Sequence, residues 1–270
     1  MQDGITAVAK SAYHGLRQMG LRLRNLAPSL PVTRQGCPLL HLGSRYGGWT
    51  CVASETLQNA TVVSCGLGED ASFDVAFAAH YGARVILVDP TPRAVQHFHG
   101  LVARLGEPPR QPYAKGGKQP LDAYDLEQIK PGQLQLCAKA LWSQSGRLKF
   151  FAPPNPAHVS HSISNYQNNY ATDTAHIMVD ALTIDQLLAA FAIGALPLLK
   201  LDIEGAEIEV LADMLAKGIH PQQVLVEYDE LSVPSQRSKL RIEETHAQLL
   251  STGYRLVYRR HNNATYFRQR

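Results

Sequence analysis

The chain has 270 residues, of which 45% are apolar and 18% charged, and its formal net charge is +3. That is enough apolar material for a sizeable core, and too small a basic excess for a dedicated nucleic-acid binder. The longest apolar run, residues 187–199, is broken by Gly194 and Pro197, so no integral membrane segment is expected.

Residues 1–34 stand apart. Ile5, Ala9, Ala12, Leu16, Met19, Leu23 and Leu26 recur every three or four positions, and Lys10, Arg17 and Arg24 share another face. The pattern predicts a basic amphipathic helix, ended by Pro28 and Pro31. Its apolar stripe packs on its own domain, forms a homodimer contact or lies on a membrane surface. Residues 35–270 read as a single α/β domain.

Thr61 to Cys65 reads as a β-branched strand stopped by Gly66-Leu67-Gly68, and Ser72 to Tyr81 as a helix. Arg84 to Val88 is a second strand ended by Asp89-Pro90. Residues 91–105 follow as a helix with Thr91 as N-cap and Pro92 at its first position. Apolar strands alternating with helices predict a parallel sheet buried on both faces. Residues 106–133 are a glycine- and proline-rich insertion and read as a mobile lid. Residues 134–141 and 147–151 look like strands around a Ser-Gln-Ser-Gly turn, and 152–176 is a long polar stretch. A helix over 184–191, a strand over 196–201, a helix over 206–217, a strand over 224–227 and a helix over 238–251 come next. Gly218 and Gly253 close the last two helices. Residues 254–258 and 264–267 flank Asn262-Asn263 as an antiparallel hairpin.

Two segments carry chemistry. In Gly66-Leu67-Gly68-Glu69-Asp70-Ala71 the glycines permit a tight turn and close approach of a ligand. Asp89 lies 21 residues beyond Gly68, where a doubly wound fold places a carboxylate for ribose hydroxyls. A nicotinamide dinucleotide and S-adenosylmethionine both suit this spacing. Glu69 and Asp70 favour the second, because acids at a helix N-terminus repel a pyrophosphate and attract an ammonium. The other segment, Leu198 to Glu207, is an apolar strand interrupted by Lys200 and ending in Asp202, Glu204 and Glu207. Ligands in open α/β sheets bind beyond the carboxyl ends of strands, so Asp202 and Glu204 are expected at a cleft. Glu207 is expected to be an exposed or capping acid. A lysine within a buried strand must be paired or functional.

With Asp180-Ala-Leu-Thr-Ile-Asp185, Leu199-Lys-Leu-Asp-Ile-Glu-Gly-Ala-Glu207 and Val224-Leu-Val-Glu227, the chain resembles the FkbM family of S-adenosylmethionine-dependent methyltransferases. Gly43-Ser-Arg-Tyr-Gly-Gly-Trp49, Gly66 to Asp74 and Asp89-Pro-Thr-Pro92 look like a subset of that family. The resemblance covers roughly residues 40–230. Ser64 stands where the commoner form has an acid, and Asp70 where a further glycine is usual.

The resemblance implies a Rossmann-like class I methyltransferase fold: a mostly parallel seven-stranded sheet with a C-terminal antiparallel hairpin. It also implies O-methylation of a hydroxyl on a small-molecule or glycan acceptor, with S-adenosylmethionine as cofactor. Gly66, Gly68, Glu69, Asp70, Asp89, Ala140 and Asp202 are the expected cofactor contacts. Asp202 is the first candidate for general base, with Glu204, Glu227 and His161 as alternatives and Lys200 holding an acid or the substrate. Oxygen clusters can bind magnesium, but no metal is assigned to Asp202, Glu204 and Glu227.

Residues 155–170 hold the amides and aromatics that a sugar site uses. His161, Asn165 and Tyr166, with Tyr46 and Trp49, are the acceptor-site candidates; Trp49 serves equally well as a core residue. Four cysteines with no C-x-x-C pair and no signal-peptide pattern point to the cytoplasm. Two rival readings stand: a nicotinamide-dependent oxidoreductase, since residues 66–71 also satisfy G-x-G-x-x-A, and a non-catalytic descendant that binds cofactor or glycan.

Overall fold

The computed structural model describes Gly20 and residues 25–33, 36–155, 159–168 and 170–269, without the side chain of Tyr166. The expected N-terminal helix and its dimer or membrane contacts lie outside the described residues, apart from Gly20 and its end.

The strands are β1 (Leu39–Leu42), β2 (Trp49–Val52), β3 (Thr61–Cys65), β4 (Arg84–Val88), β5 (Leu134–Cys137), β6 (Ala140–Leu141), β7 (Gly146–Phe151), β8 (His176–Leu182), β9 (Leu198–Leu201), β10 (Gln223–Glu227), β11 (Tyr254–Arg260) and β12 (Asn263–Arg268). The helices are α1 (Ser72–Tyr81), α2 (Pro92–Val102), α3 (Ile184–Ala190), α4 (Glu207–Ala216) and α5 (Gln236–Ser251).

Seven strands form the main sheet in the order β11-β12-β10-β9-β3-β4-β5. β10, β9, β3, β4 and β5 run parallel, and β12 and β11 close one edge antiparallel. From β3 the chain steps outward through β4 to β5, then returns to β9 on the other side of β3 and moves outward again. The order therefore reverses at β3, which opens a crevice beyond the carboxyl ends of β3 and β9.

Strand periodicity divides the core into two layers. Val63, Cys65, Ile86, Val88, Leu199, Leu201, Val224 and Val226 face α4 and α5. Val62, Val85, Leu87, Leu198 and Leu225 face α1, α2 and the buried Trp49. Ser64 and Lys200 are Cα partners across β3 and β9, and by the same alternation they belong to the α1 side.

Several expected elements are corrected. Residues 134–141 are not one strand: β5 ends at Cys137, and β6 joins a second sheet of order β6-β8-β7. β6 and β7 do not pair with each other; both pair with β8, a strand outside the expected elements. Its outer residues, His176, Met178 and Asp180, are exposed, so β8 lacks the continuous apolar run of the central strands. The β1–β2 hairpin was also not anticipated. It is held by the buried Gln223 side chain, whose Oε1 accepts from Val52 N and whose Nε2 donates to Val52 O, both at 2.8 Å.

The C-terminal hairpin turns at His261-Asn262, one residue earlier than expected, with Arg260 opposite Asn263 and His261 at φ 56°. The second half of the insertion at 106–133 packs into the domain, with Tyr124, Leu126 and Ile129 in the core. Residues 25–33 run beside β11, where Thr33 N donates to Leu256 O at 2.7 Å. Among the described residues no helix is long and apolar enough to cross a membrane.

Candidate functional site

A cleft of about 980 Å³ lies at the point where the strand order reverses. The turn after β3 forms one wall. Gly66 has φ 84°, and a Cβ there would lie 1.7 Å from Asp202 O, so only a hydrogen fits. Asp89, at the end of β4, fixes this turn. Its Oδ2 accepts from Leu67 N at 3.1 Å and Gly68 N at 2.9 Å, and its Oδ1 accepts from Thr91 N at 2.9 Å and Thr91 Oγ1 at 2.7 Å. Thr91 thus flanks α2 as expected, but its hydroxyl serves Asp89 and makes no cap bond to the helix.

Glu69 and Asp70 both line the cleft and both are engaged. Glu69 is ion-paired with Arg93 and lies 3.4 Å from Lys118 Nζ. Asp70 Oδ1 accepts from Ser72 N at 2.9 Å, which places this carboxylate at the N-terminus of α1. Its Oδ2 accepts from Ser44 Oγ at 2.8 Å and from Gln119 Nε2 at 2.9 Å. The insertion is therefore tied to the glycine turn through Gln119. Tyr46 is 65% exposed at the cleft rim, and its ring lies against Gly117, where a Cβ would come within 2.6 Å.

The opposite wall is acidic. Asp202, Glu204, Glu227 and Asp229 line it, as does Lys200. Lys200 Nζ donates to Cys65 O at 3.2 Å and Gly66 O at 3.0 Å, lies 3.6 Å from Asp202 Oδ2, and sits 5.3 Å from the Trp49 ring centre. The lysine in the strand is thus paired, and it ties β9 to the glycine turn. Burial raises Asp202 above the ordinary carboxylate range while Lys200 pulls against that rise. Burial, reinforced by Asp202, Glu204 and Glu207, pushes Glu227 up to about 9.

Glu204 has φ 56°, a left-handed conformation that costs a residue with a side chain about 1 kcal/mol or more. The loop around residue 162 holds it there: Ser162 Oγ donates to Glu204 O at 2.7 Å and Gln167 Nε2 to Glu204 Oε2 at 3.1 Å.

Glu207 is a buried cap, not an exposed acid. It is 1% exposed, and Oε1 accepts from Ile203 N at 2.8 Å while Oε2 accepts from Gly205 N at 3.0 Å. Burial pushes it up to about 8, against the pull of these amides and of Asp229. An acid raised in the folded state stabilises the fold below its unfolded value near 4.5, and that contribution is lost as pH rises through about 8. The melting temperature of the wild type is expected to fall between about pH 5 and pH 8, by the equivalent of roughly 1 kcal/mol per pH unit. Glu207→Gln is expected to flatten that slope in differential scanning calorimetry; an unchanged slope would remove Glu207 as its source.

The cleft gathers Gly66, Gly68, Glu69, Asp70, Asp89, Ala140, Lys200, Asp202, Glu204, Glu227, Tyr46, Trp49 and His161. Asn165 is not among its lining residues. That side chain is buried in its own loop, where Nδ2 donates to Ala171 O at 2.8 Å and to Thr174 Oγ1 at 3.1 Å. The Tyr166 side chain lies outside the described residues. Sequence reasoning missed Asp74 and Asp229, which also line the cleft. Asp74 lay within the motif Gly66 to Asp74, and Asp229 lies two residues beyond Glu227; a period-two count past the strand end would have flagged the second. Among the described residues no group of three or more His, Cys, Asp or Glu side chains is arranged to hold a metal ion.

The family model described as the methyltransferase FkbM domain matches residues 57–256 of the chain. No curated protein and no solved structure matches it.

Proposed function

The chain belongs to the FkbM methyltransferase family, and from that premise we propose that it transfers a methyl group from S-adenosylmethionine to a hydroxyl of a sugar or natural product. The observation that carries the choice of cofactor is the carboxylate of Asp70 at the N-terminus of α1. A dinucleotide pyrophosphate needs that positive helix end, and here it is already neutralised. A sulfonium cofactor bearing an ammonium suits a cleft where Glu69, Asp70, Asp74, Asp89 and Asp202 outnumber the cations. Gly66, Gly68, Asp70, Asp89 and Ala140 would hold it, and when bound it supplies a methyl group activated for in-line displacement.

The chain's own residues supply alignment and a proton acceptor. The cleft spans both the glycine turn and the acidic wall, so the two reactants share one cavity, and positioning of this kind contributes about 7–11 kcal/mol. Asp202 is the general base. Its carboxylate stands at the strand end beside the turn, and Lys200 holds it at 3.6 Å. Glu227, pushed up to about 9, keeps its proton at neutral pH and donates a hydrogen bond toward the acceptor or toward Asp202. Tyr46, Trp49 and His161 line the route by which the acceptor enters.

Calorimetric titration tests the reading. S-adenosylmethionine and S-adenosylhomocysteine are expected to bind in the micromolar range and NAD not to bind. Asp89→Ala is expected to abolish binding, because four donors to that carboxylate lose their acceptor. Binding of NAD alone would move the protein to the oxidoreductases.

A further inference from the structure

Five carboxylates surround the glycine turn in the cleft: Glu69, Asp70, Asp74 and Asp89 on its side, and Asp202 on the wall opposite. Four of them already have work. Glu69 is paired with Arg93, both oxygens of Asp70 and of Asp89 accept hydrogen bonds, and Asp202 faces Lys200. Asp74 differs. It is 1% exposed, it lies on the cleft wall, and its Oδ1 meets no hydrogen-bond donor. A buried carboxylate oxygen with no donor is costly to keep unless a ligand supplies one.

The topology explains why this acid points there. Asp74 is the third residue of α1, and α1 packs on the sheet face to which Ser64 and Lys200 belong. Ser64 stands where the commoner sequences of the family place an acid; its buried hydroxyl lies beside the Asp74 carboxylate without a hydrogen bond of full geometry, so it does not replace a ligand's donor. A carboxylate missing from the end of β3 is thus provided from the facing helix.

We propose that Asp74 is the residue that receives the α-ammonium of the cofactor's methionine moiety. The inference rests on the S-adenosylmethionine reading above. Lys200 does not fill this role, since no ion pair joins it to Asp74 and its donors are turned to Cys65 O, Gly66 O and Asp202. Burial pushes Asp74 up to about 6, with Lys200 on β9 and the Ser64 hydroxyl on β3 pulling it down and Asp70 before α1 pushing it up. The Tyr124 hydroxyl of the insertion and, from the other face of β3, the Cys65 thiol also feel its charge. An arriving ammonium favours the ionised form.

The test compares two probes that differ in one group: S-adenosylhomocysteine and its deamino analogue, in which hydrogen replaces the amino group. Wild type is expected to bind the first about 10- to 100-fold more tightly, as suits one charge-assisted hydrogen bond. In Asp74→Asn that ratio is expected to collapse to within about threefold, with circular dichroism confirming the fold. A ratio that persists in the variant overturns the proposal. A second measurement needs no variant. Wild-type affinity for S-adenosylhomocysteine is expected to rise from pH 5 to pH 7, as Asp74 ionises near 6, while affinity for the deamino analogue stays flat; parallel curves overturn it too. Should wild type bind neither probe, the cofactor reading itself fails, a result distinct from equal binding of both.

Discussion

Gly66→Ala is expected to remove cofactor binding and to cost about 2–5 kcal/mol of stability. Two effects add. A non-glycine residue at φ 84° carries a left-handed penalty of about 1–2 kcal/mol. The new methyl group would also lie 1.7 Å from Asp202 O, a backbone atom that cannot rotate away, and overpacking of this kind costs about 1–3 kcal/mol. Relief of the clash requires the ends of β3 and β9 to separate. That breaks the bond from Asp202 N to Cys65 O and shifts the carbonyls that Lys200 holds. Urea denaturation and S-adenosylhomocysteine titration together measure both losses. Gly116→Ala is the control, since nothing lies within 4 Å of a Cβ there, and it is expected to stay within about 0.5 kcal/mol of wild type. Wild-type stability in Gly66→Ala would refute the close approach of the two strand ends.

Asp202→Asn is expected to lower the rate of methyl transfer by about 10²- to 10⁴-fold, the range for loss of a general base. The affinity for S-adenosylhomocysteine should change by less than about tenfold, which separates chemistry from binding. The wild-type rate is expected to climb with pH as Asp202 loses its proton. Its acidic limb lies above the ordinary carboxylate range, because burial outweighs the pull of Lys200. That limb is expected to vanish in Asp202→Asn. Glu227→Gln is the contrasting variant. An acid pushed up to about 9 is already neutral at pH 7, so glutamine preserves its donor, and the expected loss is less than about tenfold. Single-turnover transfer to a hydroxyl acceptor from a substrate screen reads both variants. A larger loss in Glu227→Gln than in Asp202→Asn would exchange the two roles.

What could be read from the chain depended on the range of the interactions. β3, α1 and β4 fall where their local patterns place them, because β-branched apolar runs and glycine stops are local signals. The acids beyond β9 were legible for the same reason: a strand end followed by a helix start points its side chains out of the sheet. β8 was not legible. Its apolar residues alternate with exposed ones in a polar neighbourhood, and its pairing residues in β7 and β6 lie 25 to 41 residues upstream. Asn165 does not line the cleft, because an amide on a polar loop is as well satisfied by its own loop's carbonyl and hydroxyl groups as by a ligand.

By itself the sequence determined the alternation of strands and helices, the glycine turn, the distal Asp89 and the need for Lys200 to be paired or functional. These follow from the period of apolar residues, the conformational freedom of glycine and the cost of burying a charge. Only the tertiary structure decided which acids already have partners. Glu69 and Asp70 are spoken for by Arg93, Ser44 and Gln119. Asp74 keeps a buried oxygen without a donor. Hydrogen-bond partners across 20 to 50 residues arise from strand order and helix packing, which no local pattern encodes, and the occupancy of each carboxylate is settled there.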